Sequence, residues 1–238
     1  IFLARQYLDS VVAMNEKGEI LPWLAKSWTI SPDGKVYTFH LRDDVKFTNG
    51  ERFDANALKQ NLDHIVDPAT HAQTATFLVD YDHTAITAPF TAEVHLKNPN
   101  SSFLPLMAEG ILGMMAPSSF ARTREENCAA PIGSGPFKIV RWDRQQQVVL
   151  ERNPAYRWAP PNAWHQGPAH LRRIVWKFIP EPSVRFASLQ AGQVDVIDGV
   201  LPEYEVKGET DPDLRFIAAD RPGTPTNGSF NTRRAPFD

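Results

Sequence analysis

Residues 27–65 place two strand signals, two turn signals and a helix start in immediate succession, and that order leaves few folds open. In VYTFHL, Tyr37, Phe39 and Leu41 alternate with Val36, Thr38 and His40, so one face of an extended strand collects the larger apolar groups. That face should be buried. Just before it, Ser31, Pro32, Asp33 and Gly34 combine the fixed φ of proline with the freedom of glycine at positive φ. SWTI and VYTFHL are therefore expected to pair as a hairpin. A second turn falls at Asn49 and Gly50, after VKF. Asp54 then offers a carboxylate cap to a helix in which Ala57, Leu58, Leu62 and Ile65 recur at helical spacing, ending before Pro68.

The hairpin pattern continues downstream. TAITA and AEVHLK flank Pro89 and Phe90, and FKIVRW can pair with VVLER across the polar residues 143–147. From residue 153 the texture changes, because NPAYRWAPPNAWHQGPAH carries prolines and large aromatics without periodicity, as an ordered loop or crossover does. RRIVWKFIP then reads as a strand apolar on both faces. A helix opens on Pro182 and stops at Gly192, and VDVIDGV reads as a short strand. That is a strand, helix, strand unit of the kind found in mixed or parallel sheets. An antiparallel stretch over residues 17–152 is thus followed by an α/β stretch.

At 238 residues, with 42% hydrophobic and 22% charged residues and a net charge of −3, the chain can bury a substantial core without a disulfide scaffold. The basic pairs Arg172, Arg173 and Arg233, Arg234 are too short for a phosphate-tracking stripe and read as solvated faces, so no nucleic-acid partner is expected. Cys128 is the single cysteine, which excludes an intrachain disulfide. No apolar run reaches the roughly 20 residues that a membrane helix requires. HExxH, GxGxxG, CxxC and a glycine-rich phosphate loop with lysine are absent, and neither a cofactor nor a metal site is expected. His64 and His71 are separated by Pro68, which works against stacking them on one helical face around an ion. Ser134 lies between glycines but lacks the GxSxG spacing of a nucleophile elbow. A hydrolase using Cys128 or Ser134 is the rival of another class; reversible binding rather than catalysis is the expectation.

ILPWLAKSWTISPDGKVYTFHLRDDVKFTNGERFDANALK closely resembles the signature of family 5 extracellular solute-binding proteins, the receptors of ABC importers for dipeptides, oligopeptides and nickel chelates. APIGSGPFKIVRW is similar to the P-x-G-[ST]-G-P-[FYW] element of that family, and ERNPAYRW, IVWKFIPEPSVRFASLQAGQVDVI and FNTRRAPFD follow in family order. The resemblance implies a mixed α/β (α+β) fold of the type II periplasmic-binding-protein kind, in which a hinge lets two lobes close over ligand. It assigns residues 1–16 and 153–238 to the split α/β core of lobe one and 17–152 to a β-rich inserted subdomain. Family members extend beyond both ends, so the chain is expected to be a fragment with one wall of the cleft, the second lobe being absent.

The same resemblance implies capture of a peptide or similar small solute in the periplasm or outside the cell, with a lipid anchor left open for the full-length protein. It implies delivery to an ABC permease at the membrane, by a monomer. In the nickel-chelate branch, cleft residues come from the first strand and following helix, the loop after the FDA helix and the loop before APSSF. The corresponding positions here are Ile1, then His71 and Thr74, then Gly110 and Gly113. Arginines that the branch places in the latter two loops, where they hold metallophore carboxylates, are replaced by histidine and glycine. A peptide or neutral solute is therefore expected, with a nickel-chelate receptor as the alternative.

Overall fold

A computed structural model describes residues 2–218 together with Arg233 and Ala235. Ile1 and most of FNTRRAPFD lie outside the described residues. The chain divides into two compact units, residues 1–178 and 179–238.

The first unit is built on the hairpins. β1 (Val12–Met14) pairs with β2 (Ile20–Pro22), and β3 (Ala25–Ile30) with β4 (Val36–Leu41), both antiparallel. The β3–β4 turn closes as its residue types demand: Gly34 takes φ +71° and donates its N–H to the Ser31 carbonyl at 2.8 Å. Tyr37, Phe39 and Leu41 are buried on one face of β4. β5 (Tyr81–Ala88) and β6 (Thr91–Leu96) form the next hairpin, and the four strands align in the order β3-β4-β6-β5. β6 contributes Ala92, Val94 and Leu96 to the same inner face. α2 (Ala55–Val66) packs against β5 and β6 with Leu58 and Leu62 fully buried, and the Asp54 carboxylate accepts the Ala57 N–H at 2.8 Å as its cap.

One polar residue on α2 does more than pack. Asn61 is buried, and its amide donates to the carbonyls of Ala57 and Met115 while its Oδ1 accepts the Met115 N–H at 2.9 Å. That clamp fixes the chain beyond the segment 107–114. β7 (Phe137–Asp143), β8 (Gln147–Arg152) and β9 (Arg173–Lys177) make a third sheet over a small core of Phe137, Val148 and Leu150. The loop between β8 and β9 is ordered, with Tyr156 and Trp158 buried in the main core.

Two strand expectations need correction. β9 is not apolar on both faces: Ile174 and Trp176 are half-buried while Arg173, Val175 and Lys177 are exposed, because β9 runs antiparallel beside β8 as a one-faced strand. Residues 194–200 form no strand, and every pairing among the described residues is antiparallel. A strand exists only when a neighbour satisfies its ladder groups, and no described strand lies in the second unit to do so. That unit holds α5 (Pro182–Gln190) and α6 (Pro202–Thr210), with Phe186 and Tyr204 stacked at 4.6 Å. Pro182 occupies the first helical turn, and Gly192, at φ +67°, follows the helix as expected.

Two substitutions separate local from packing effects. Asp54→Ala removes only the cap and should cost about 1 kcal/mol, whereas Leu58→Ala opens a core cavity and should cost about 2–5 kcal/mol. Urea midpoints of the two variants check the order.

Candidate functional site

The segment that follows α1 (Ala4–Tyr7) crosses the core with an acid in an apolar run, Leu8-Asp9-Ser10-Val11, and the whole run is buried. A carboxylate without water needs donors, and distant parts of the chain supply them. The Ser134 hydroxyl donates to Asp9 Oδ2 at 2.8 Å, the Trp158 indole to the same oxygen at 2.9 Å, and the Tyr156 hydroxyl to Oδ1 at 3.4 Å. Burial dominates all the same and pushes the Asp9 carboxyl up to about 6, against the pull of Ser134, Trp158, Tyr156 and the Arg5 charge. Burial, aided by the Asp9 charge, also pushes the Tyr156 phenol well above its ordinary value. Trp23 Nε1 is buried beside the Tyr156 hydroxyl of this group.

Backbone approaches tighten the same crossing. The Gly135 N–H donates to the Tyr7 carbonyl at 3.1 Å, and Asn153 donates to the Gly135 carbonyl at 3.0 Å. A Cβ on Gly133 would lie 1.8 Å from the Tyr7 oxygen, so only glycine lets GSGP lie against this segment.

Residues 107–114 are held on the other side. The Met114 N–H reaches the Asp9 carbonyl at 2.8 Å, and Ser10 Oγ donates to the Glu109 carbonyl at 3.0 Å. Arg5 donates to Ser10 Oγ at 2.8 Å and to the Ala108 carbonyl, with its guanidinium 5.3 Å from the centre of the Trp23 ring. Beside that stack lies a depression of about 290 Å³ bordered by Arg5, Met14, Trp23 and Asn162.

Against this frame the residues expected at the cleft fall in two places. Gly110 is buried with the Arg5 side chain over it, a Cβ there meeting Arg5 Nε at 3.1 Å, and Gly113 abuts Leu8, where a Cβ would lie at 2.6 Å. His71 caps the 3-10 turn Pro68–Thr70, exposed and at φ +49°, and Thr74 is half-buried in the 3-10 segment Gln73–Leu78. Ile1 lies outside the described residues. Of the two residues named for the catalytic alternative, Ser134 is buried with its hydroxyl given to Asp9, and Cys128 sits exposed on α4 (Arg124–Ala129). Sequence reading singles out Ser134 only as a nucleophile candidate and does not single out Asp9 or Arg5; the usable signal is an aspartate inside YLDSVV, where an uncompensated acid is costly.

Residues 19–238 match bacterial extracellular solute-binding proteins, family 5 (middle region). The chain belongs to this family. The glutathione-binding protein GsiB of Escherichia coli (strain K12) is 27% identical over 237 residues, covering 99% of this chain and 44% of that protein. The nickel-binding periplasmic protein of the same strain is 35% identical over 213 residues, covering 85% of this chain and 38% of that protein. The solved structure of the periplasmic binding protein DppA from Helicobacter pylori, in complex with the peptide STSA, superposes with a TM-score of 0.72 at 25% identity over 87% of this chain and 43% of that one. The fold is therefore the mixed α/β one of type II periplasmic binding proteins, and the chain spans less than half the length of these curated relatives.

The raised Asp9 pKa has a definite sign in stability. The folded state holds this proton more tightly than the unfolded chain, whose ordinary value is 3.8, so the contribution is complete below about pH 4 and is lost as pH rises through about 6. A shift of about two units corresponds to about 3 kcal/mol. Unfolding free energies of wild type and Asp9→Asn between about pH 3 and 8 should differ by a term that falls by that amount as pH rises; a constant difference would contradict it.

Proposed function

We propose that this chain forms one wall of the ligand cleft of an ABC-importer solute receptor that captures a peptide or similar small solute and releases it unchanged to a membrane permease. The site of action is the cell envelope, periplasmic or extracellular. In this reading residues 1–16 and 153–238 belong to the lobe core and 17–152 to the inserted subdomain, with Ile1, His71, Thr74, Gly110 and Gly113 on the ligand side. The observation that carries it is the convergence of IGSGPF and NPAYRW on buried Asp9, which supports a preorganised wall and commits Ser134, one of the two residues named for a hydrolase, to a buried hydrogen bond. Rigid walls suit capture, because affinity is not spent on ordering the site.

Ligand charge follows from the guanidinium count. His71 and Gly110 stand where a carboxylate clamp would need arginine, and Arg5, the guanidinium packed on Gly110, is committed to Ser10, the Ala108 carbonyl and the Trp23 ring. This favours a peptide or neutral solute. A nickel-chelate receptor is the second reading, favoured by the 35% identity to the nickel-binding periplasmic protein.

The test is a calorimetric titration of the 238-residue chain, and of the protein extended to the length of its relatives, with di- and oligopeptides, glutathione and nickel with and without histidine. The extended protein should bind a peptide, and saturation at a hundred times the dissociation constant should stabilise it by about 2.7 kcal/mol. The chain alone should bind at least about tenfold more weakly, because closure encloses ligand from both sides. Equal affinities, or turnover of the peptide, would contradict the proposal; response to nickel chelates alone would select the second reading.

A further inference from the structure

The solvent face of the four-stranded sheet carries a constellation that solute capture does not use. Alternation gives β6 an outer face of Thr91, Glu93 and His95. In β5 a register shift between Tyr81 and His83 breaks the alternation, so Tyr81 and Thr84 are buried while His83 is exposed directly across the ladder from His95. The two imidazoles lie with centroids 4.3 Å apart and planes 9° from parallel. Each has a carboxylate beside it: His83 Nδ1 is 2.9 Å from Asp82 Oδ2, and His95 Nε2 is 3.6 Å from Glu93 Oε2. His83 keeps 54% and His95 29% of side-chain exposure, so the pair is reachable from solvent.

We propose that His83 and His95 form a bidentate surface site for one divalent transition-metal ion. Imidazole nitrogen suits copper, nickel and zinc, and two imidazoles on opposed ladder positions are preorganised by the backbone rather than by flexible stems. His83 Nδ1 lies 2.9 Å from Asp82 Oδ2, and in the tautomer that donates Nδ1–H to this carboxylate the Nε2 lone pair is left for a metal, which is how second-sphere carboxylates orient metal-binding histidines. Binding one ion requires the stacked rings to rotate so that a nitrogen of each faces a common point, next to which Glu93 adds negative charge. Among the described residues no three His, Cys, Asp or Glu side chains are placed to hold an ion, so water completes the coordination and the ion exchanges freely. The inner face of the same sheet packs the core, so occupancy leaves the fold unchanged.

A second imidazole pair provides an internal control. His165 and His170 approach to 4.4 Å, but at 46° and on a loop whose Ala169 and His170 carbonyls receive the Arg152 guanidinium, a neighbour that repels cations.

The proposal is tested by calorimetric titration of the 238-residue chain with copper, nickel and zinc salts in a non-coordinating buffer. One equivalent should bind, copper most tightly. His83→Ala, His83→Gln and His95→Ala should each weaken binding at least about tenfold by making the site monodentate, and Asp82→Asn should weaken it less. His165→Ala should leave it unchanged. Circular dichroism of each variant confirms that the sheet persists. No saturable binding by the wild type, wild-type isotherms for the His83 and His95 variants, or loss in His165→Ala would each overturn the assignment.

Discussion

Everything near the candidate site depends on how Asp9 is satisfied. A carboxylate removed from water is several kcal/mol out of balance unless donors surround it, and here the donors come from Ser134, Tyr156 and Trp158, more than a hundred residues away in sequence. Asp9 therefore works as a specification device: a chain that misplaces GSGP or NPAYRW leaves a buried acid with too few partners. The raised pKa is the residue of that compromise, since three donors and a nearby guanidinium do not fully offset the lost hydration.

The glycines complete the same design by steric means. Gly133 and Gly135 let one backbone lie on another at Tyr7, and Gly113 lets the segment 107–114 close against Leu8. Arg5 and Ser10 then take up carbonyls of that segment that would otherwise be orphaned. The result is a layered wall in which hydrogen bonds choose the register and glycines set the spacing. For a receptor the gain is preorganisation: a wall already ordered gives up less entropy when ligand arrives.

Legibility from sequence followed the range of the forces involved. The hairpins at Ser31–Gly34 and around Pro89, the Asp54 cap and the Pro182 helix start rest on local chemistry, and the structure reproduces them. Residues 194–200 read as a strand but form none, because a strand is a property of a pair, and its partner is not encoded in its own alternation. β9 is one-faced where its sequence reads as apolar on both faces, for the same reason. The Asp9 network was invisible because its members are silent individually: a serine between glycines, a tyrosine and a tryptophan in a proline-rich loop acquire meaning only when the fold brings them to one carboxylate. The family resemblance supplied the order of these blocks without saying what joins them.

The central claim is that the Asp9 crossing unites the GSGP element and the segment 107–114 into one cooperative wall. Native-state hydrogen exchange of the Met114, Ala116 and Gly135 amides, bonded to the Asp9, Ile132 and Tyr7 carbonyls, tests it most directly. A common opening free energy is expected for the three, lowered together by about 1–3 kcal/mol in Ser134→Ala. If Gly135 alone lost protection while Met114 and Ala116 kept theirs, the wall would be two independent pieces and the account would be wrong.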